Sequence, residues 1–178
     1  YYKNGLTRKD GEGFRLRTDG KGRLRVEVTT LGAQFIPFTQ CAEMIKQQWK
    51  KIGIDTEVKE TERNLAITRS ANAEHQIYFW TVGGSENLYL YPRYVLPVDP
   101  ADCPLGMPFA RWYVTNGQQG KKPANPEMVR AMELLRSASG KKEAERVKIA
   151  KEIWRIICEE CWSIGTIGLS PAWMGLRV

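Results

Sequence analysis

The sequence is poor in the groups that most often carry catalysis. It has a single histidine, His75, set between Glu74 and Gln76, and no GxSxG elbow. A nucleophilic triad therefore lacks an evident base. Neither a GxGxxG nor a Walker-type glycine loop is present, so no phosphate cradle is recognisable. The longest largely apolar run, Ile77 to Val82, is far short of the roughly 20 residues a membrane helix needs. One histidine also leaves a zinc site with few partners. No cofactor, metal site or catalytic residue is expected.

Cysteine is sparse as well. Cys41, Cys103, Cys158 and Cys161 do not have the spacing of a dense disulfide framework. Core packing is the expected role, with a disulfide or redox and metal chemistry as the alternatives. Cys158-Glu159-Glu160-Cys161 falls at the end of an expected helix, with two acidic residues between the sulfurs. Redox CxxC pairs draw thiolate stabilisation from a helix N-terminus, so this pair is not expected to be one.

What is present is a 178-residue chain with 42% apolar residues, enough for one α/β domain with a real core. The net charge of +7 raises nucleic-acid binding as a possibility. However, its basic residues are spread along the chain among 20 acidic ones, which favours a solvated basic surface. The chain opens on Tyr1-Tyr2-Lys3 with neither an initiator Met nor a signal stretch and is expected to be part of a longer protein.

Leu24, Val26 and Val28 alternate with charged or polar residues, predicting a half-buried strand over 24–30. Ala42, Ile45, Trp49 and Ile52 recur at helical spacing, with Gly53 placed to end the helix. Ile54, Thr56 and Val58 alternate again. Residues 24–59 thus read as a βαβ unit, with parallel strands and the helix stripe packed on their sheet. A weaker helix is predicted over 63–73, and a strand buried on both faces over 77–82.

The stretch from Gly83 to Gly120, with five prolines and many aromatics, reads as a long irregular connection. Asn125 with Pro126 then caps a helix bearing Met128, Ala131, Met132 and Leu135, which Gly140 ends. A last helix carries Val147, Ala150, Ile153, Trp154, Ile157 and Cys161 into a buried strand over 163–169. Asp10-Gly11-Glu12-Gly13 has the look of a calcium loop, but Phe14-Arg15-Leu16-Arg17 follows where further acidic ligands are needed. A glycine-rich turn before a hairpin is the expectation.

In order and spacing these pieces resemble the C-terminal lobe region of extracellular solute-binding proteins of family 5, which includes dipeptide, oligopeptide and nickel-binding receptors. The residues that carry the resemblance are the turn Lys9 to Arg15, the strand at 24–30, the helix Ala42 to Ile54, the strand with Val58 and the strand ending at Trp80. The resemblance implies an α/β fold: one lobe of a type II periplasmic-binding-protein fold, a mixed sheet with flanking helices, residues 1–178 forming a single lobe of a two-lobe protein. It implies a periplasmic or extracellular monomer, lipid-anchored in full-length form, that captures a peptide or other small solute and delivers it to the permease of an ABC importer.

The resemblance also places Trp80, Thr81, Gly83, Gly84, Tyr89 and Trp112 near the ligand cleft, the glycines for close backbone approach and the aromatics as flat walls. Many peptide binders of the family place an aspartate shortly after this tryptophan, whereas Thr81-Val82-Gly83-Gly84-Ser85 offers no carboxylate before Glu86. Burying an unpaired ligand ammonium is costly, so an oligosaccharide or other neutral solute is the alternative ligand. An enzyme of unknown type and a basic nucleic-acid-binding module are the alternative functions.

Overall fold

The alternation around Val26 and Val28 forms β1 (Arg25–Leu31) in a computed structural model that describes residues 5–32, 36–81 and 87–166. Helix α1 (Phe38–Lys51) follows, then β2 (Asp55–Thr61), α2 (Arg63–Ala71) and β3 (Ile77–Tyr78). The chain groups into two compact units, Tyr1–Gly83 with Gly106–Pro108, and Gly84–Leu105 with Phe109–Val178.

In the first unit β1 pairs in parallel with β2 from Arg25↔Asp55 to Leu31↔Thr61. It also pairs in parallel with β3 at Val28↔Ile77 and Thr29↔Tyr78, giving the order β2-β1-β3. The βαβ reading holds. Being central, β1 is covered on both faces over Val28, Thr29, Thr30 and Leu31 rather than half-buried as expected.

Helix α1 begins at Phe38, directly after Pro37 and earlier than its expected stripe. Phe38 and Ala42 are buried, and Ile45, Trp49 and Ile52 half-buried. Gly53 ends the turn at φ +87°, where a Cβ would lie 2.8 Å from the Gly13 carbonyl oxygen. That turn therefore requires glycine. The Arg15 Nε donates to the Ile52 carbonyl at 2.8 Å, placing a cation at the negative end of the helix.

The turn before β1 is as expected. Asp10 accepts from the backbone N–H groups of Glu12 and Phe14, and Lys9 bridges Arg15 in antiparallel fashion. Arg23 takes up the carboxylates of both Asp10 and Glu12.

On β2 the Thr56 side chain is buried, and its hydroxyl has no hydrogen-bond partner among the described residues. A buried hydroxyl without a partner carries an unrecovered desolvation cost, and valine is nearly isosteric. Thr56→Val is expected to stabilise the protein by about 1 kcal/mol in urea melts; a destabilised variant would show that the hydroxyl is in fact satisfied.

The expected strand over 77–82 is shorter. Only Ile77 and Tyr78 pair, although the Phe79 N–H still donates to the Thr29 carbonyl, and residues 77–81 are half-buried. The apolar run was read as covered on both faces, whereas β3 is an edge of the sheet among the described residues.

The second unit contains a short 3-10 turn (Pro92–Tyr94), part of α3 (Met107–Val114), α4 (Pro126–Ser137) and α5 (Glu143–Glu160). The stretch expected to be irregular thus holds a helix at its C-terminal end. Asn125 caps α4 by accepting from Glu127 and Met128, and Met128, Ala131 and Met132 are buried. Ile153, Ile156 and Ile157 of α5 pack with Leu88, Val95, Leu96 and Ala131.

Val147 and Cys161, both on that expected stripe, are exposed: Val147 lies about 120° round the helix from Ile153, and Cys161 is the C-cap past the end of α5. Residues 163–166 form no strand, and Ile164 is 68% exposed. Residues 167–169 lie outside the described residues. No helix among the described residues is long and apolar enough to cross a membrane.

Candidate ligand site at the strand ends

Because β1, β2 and β3 run parallel, their carboxyl ends share one edge of the sheet, and in open α/β sheets that edge is where ligands bind. Residues Phe79, Trp80 and Thr81 follow β3, Glu62 and Arg63 follow β2, and α1 starts at Phe38 after β1. Trp80 is half-buried against Phe38, with ring centroids 5.4 Å apart, and against Tyr78 at 6.3 Å. Phe38 also meets Phe79 edge-on at 5.8 Å. The Arg63 guanidinium stands 5.9 Å from the Trp80 ring centre, within cation–π range.

The same sheet edge carries a polar relay at the ends of β1 and β2 and the start of α1. The Thr30 and Thr39 hydroxyls are 3.0 Å apart, and Thr39 donates to a Glu60 carboxylate oxygen at 2.5 Å. A half-buried tryptophan packed on Phe38, with the Arg63 guanidinium against its ring, can stack on a flat apolar surface.

Of the residues singled out from the sequence, Trp80 and Thr81 sit together at this edge. Gly83 and Gly84 lie outside the described residues. Tyr89 and Trp112 belong to the second unit. The Tyr89 hydroxyl donates to the Arg146 carbonyl at 2.6 Å, and the Arg146 guanidinium lies 4.3 Å over its ring. Burial raises the Tyr89 phenol above its ordinary pKa. Trp112 is half-buried on α3, with the Lys122 ammonium 5.8 Å from its ring.

Sequence reasoning missed Phe38, Thr39, Glu60 and Arg63. The signal for Phe38 was available, an aromatic directly after Pro37 at the first position of a helix. The pairing of Thr39 with Glu60 spans two elements and left no local mark.

The second unit also has an open cleft of about 310 Å³ lined by Leu90, Tyr91, Pro92, Arg93, Val98, Asp99 and Pro100. Its one cation, Arg93, already faces Asp99 and Asp102, each at 3.5 Å. His75 is half-buried, with its ring edge-on to Tyr78 at 5.4 Å. Among the described residues no three His, Cys, Asp or Glu side chains gather as a metal site.

No protein-family model matches the chain, and no curated protein matches it significantly. Solved structures do. An oligopeptide-binding protein, OppA, superimposes with a TM-score of 0.73 at 20% identity, covering 90% of this chain and 27% of its own. The periplasmic binding protein MelB of Agrobacterium fabrum C58, solved with stachyose, gives 0.72 at 16% identity, with coverages of 92% and 24%. NikA of Brucella suis, solved with Fe(III)-EDTA, gives 0.63 at 19% identity, with coverages of 89% and 28%. The chain spans about a quarter of the length of these proteins, and over nine-tenths of its own length it has the α/β fold of part of a periplasmic binding protein.

Proposed function

We propose that the chain is part of the solute-binding component of an ABC importer, a non-catalytic receptor that captures a small solute between two lobes and hands it to the permease. The carrying observation is the Trp80 platform, braced by Phe38 at the carboxyl ends of three parallel strands. The 178 residues act as one lobe, in a monomeric protein of the periplasm or cell exterior that is lipid-anchored in full-length form. Trp80 and Thr81 are the leading ligand contacts, and Gly83, Gly84, Tyr89 and Trp112 are further candidates to be tested one by one by substitution.

A neutral oligosaccharide fits better than a peptide. Arg63 already sets a cation against Trp80, and the stretch 81–85 has no carboxylate to hold a ligand amine. A nucleic-acid role is disfavoured because many arginines of both units are engaged in ion pairs. Arg23, Arg25 and Arg69 do so in the first unit, Arg130 and Arg155 in the second.

Calorimetry on the full-length protein with short oligosaccharides and with di- and oligopeptides tests the reading. Trp80→Ala is expected to weaken binding at least about tenfold, about 1.4 kcal/mol, with folding intact. Unchanged affinity would remove Trp80 from the site. The 178-residue chain alone is expected to bind more weakly than micromolar, because good small-molecule sites bury about 70–90% of the ligand. Micromolar or tighter binding by this chain would overturn the two-lobe reading.

A further inference from the structure

We propose that Cys158 and Cys161 are a modification site, closing an intrachain disulfide that staples the last turn of α5. The proposal does not depend on the transport reading. All four cysteines are thiols in the structure, but they differ in setting. Cys103 is buried and its thiol donates to the Arg93 and Leu96 carbonyls, at 3.3 and 3.6 Å. Cys41 lies half-buried on α1, in the other unit. Cys158 and Cys161 are both exposed and three residues apart, so within the second unit each is the accessible partner of the other.

The turn folds the Cys161 side chain back toward Cys158. Cys161 caps α5 in the left-handed region, φ 53° and ψ 40°, with its N–H bonded to the Ile157 carbonyl. Glycine is the usual residue at such a cap, so a cysteine there wants a reason other than local conformation. Its sulfur is turned back along the helix, 3.2 Å from the Cys158 carbonyl oxygen. Helical residues three apart have Cβ atoms about 5–6 Å apart, and a disulfide needs about 3.5–4.5 Å. Closing that gap falls to Cys161, the last residue held by the helix, since residues 162–166 have no regular structure.

The chemistry balances with a low-molecular-weight disulfide as oxidant. The thiolate of one cysteine attacks a sulfur of the oxidant and forms a mixed disulfide, expelling one small thiolate. The second cysteine then attacks the protein-bound sulfur and expels the other. The two protein protons end on the two departing thiols, and two electrons pass from the cysteines to the oxidant. The pair stands at the C-terminal end of α5 with Glu159 and Glu160 between the two sulfurs, not at the helix N-terminus where exchanging catalytic pairs sit. The bond therefore suits a durable staple more than an exchanging catalytic pair.

Trypsin cleaves after Arg155 and Arg177, releasing both cysteines on one peptide, residues 156–177. The full-length protein is reduced, incubated with oxidised glutathione, then acid-quenched, alkylated under denaturing conditions and digested. Both alkylations are expected to be lost from this peptide, which is lighter by two hydrogens than its reduced, unalkylated form. In C158S and in C161S the remaining cysteine is expected to carry glutathione or an alkyl group instead. Complete alkylation of the wild-type peptide, glutathione retained on both sulfurs, or a crosslink to a second chain would each overturn the proposal.

Discussion

Replacing Phe38 by alanine is expected to destabilise the protein by about 3–5 kcal/mol, the range for emptying a buried aromatic site. Phe38 is 2% exposed and shares a core with Leu31 and Ala66, with Tyr78, Phe79 and Trp80 packed against it. Its buried neighbours are poorly placed to fill the hole, because Leu31 is fixed in the central strand and Ala66 on α2 is short. The variant also removes the surface on which Trp80 rests, so solute affinity in the full-length protein should fall even where the fold persists. Phe38→Leu retains most of the volume and should cost less than about 1.5 kcal/mol. Urea melts of the two variants decide the matter: a loss below about 1 kcal/mol for Phe38→Ala would mean that the core is loosely packed.

The βαβ unit was legible because its signals are local. The alternation of Val26 and Val28, the stripe from Ala42 to Ile52 and the stop at Gly53 each lie within a few residues, and together they dictate one topology. The same holds for Asn125 and Pro126 at the start of α4. Burial was less legible, because it depends on neighbours in space. Thr29 and Thr30 read as polar yet are buried, since β1 is central. The run from Ile77 reads as a doubly covered strand yet pairs over two residues at a sheet edge. Val147 is spaced three from Ala150, yet it lies about 120° round the helix from Ile153 and opposite Ile156, and it faces solvent.

The candidate site shows the same division. Trp80 stands out in the sequence as a tryptophan within an apolar run, but its ring partners Phe38 and Arg63 come from α1 and α2, and the Thr39–Glu60 pair at the same sheet edge joins α1 to β2. No window of sequence contains them all. Tyr89 likewise meets its partner Arg146 only through the fold. An aromatic cluster is therefore visible in the sequence, while the charge brought against it emerges only when distant elements meet at one edge.

Arg69→Met is expected to cost stability at neutral pH and to cost progressively less as the solution is acidified. Arg69 on α2 bonds the Glu27 carboxylate of β1 at 2.8 Å, with Lys59 3.7 Å away on the neighbouring strand. Both partners are largely withdrawn from water, at 17% and 24% side-chain exposure. The hydrogen bond from Arg69 is the main cause holding the Glu27 carboxyl below its ordinary value; burial opposes it, and the charges of Arg69 and Lys59 add to it.

A folded-state pKa below the unfolded one makes the unfolded chain the better proton binder. The contribution is then fully present above the unfolded value of about 4.5 and is lost as pH falls through the lower folded value. Methionine keeps the aliphatic bulk of the arginine but leaves the Glu27 charge without its main donor, which should cost about 1.5–3 kcal/mol at pH 7, the range for a hydrogen bond to a charged group. The remaining attraction of Lys59, itself half-exposed, offsets little of this. Urea melts of wild type and variant at about pH 7 and about pH 3 give the difference directly. A gap that narrows at the acid end is the expected result. A gap of the same size at both pH values would mean that Arg69 acts through packing, with the charge of Glu27 contributing nothing.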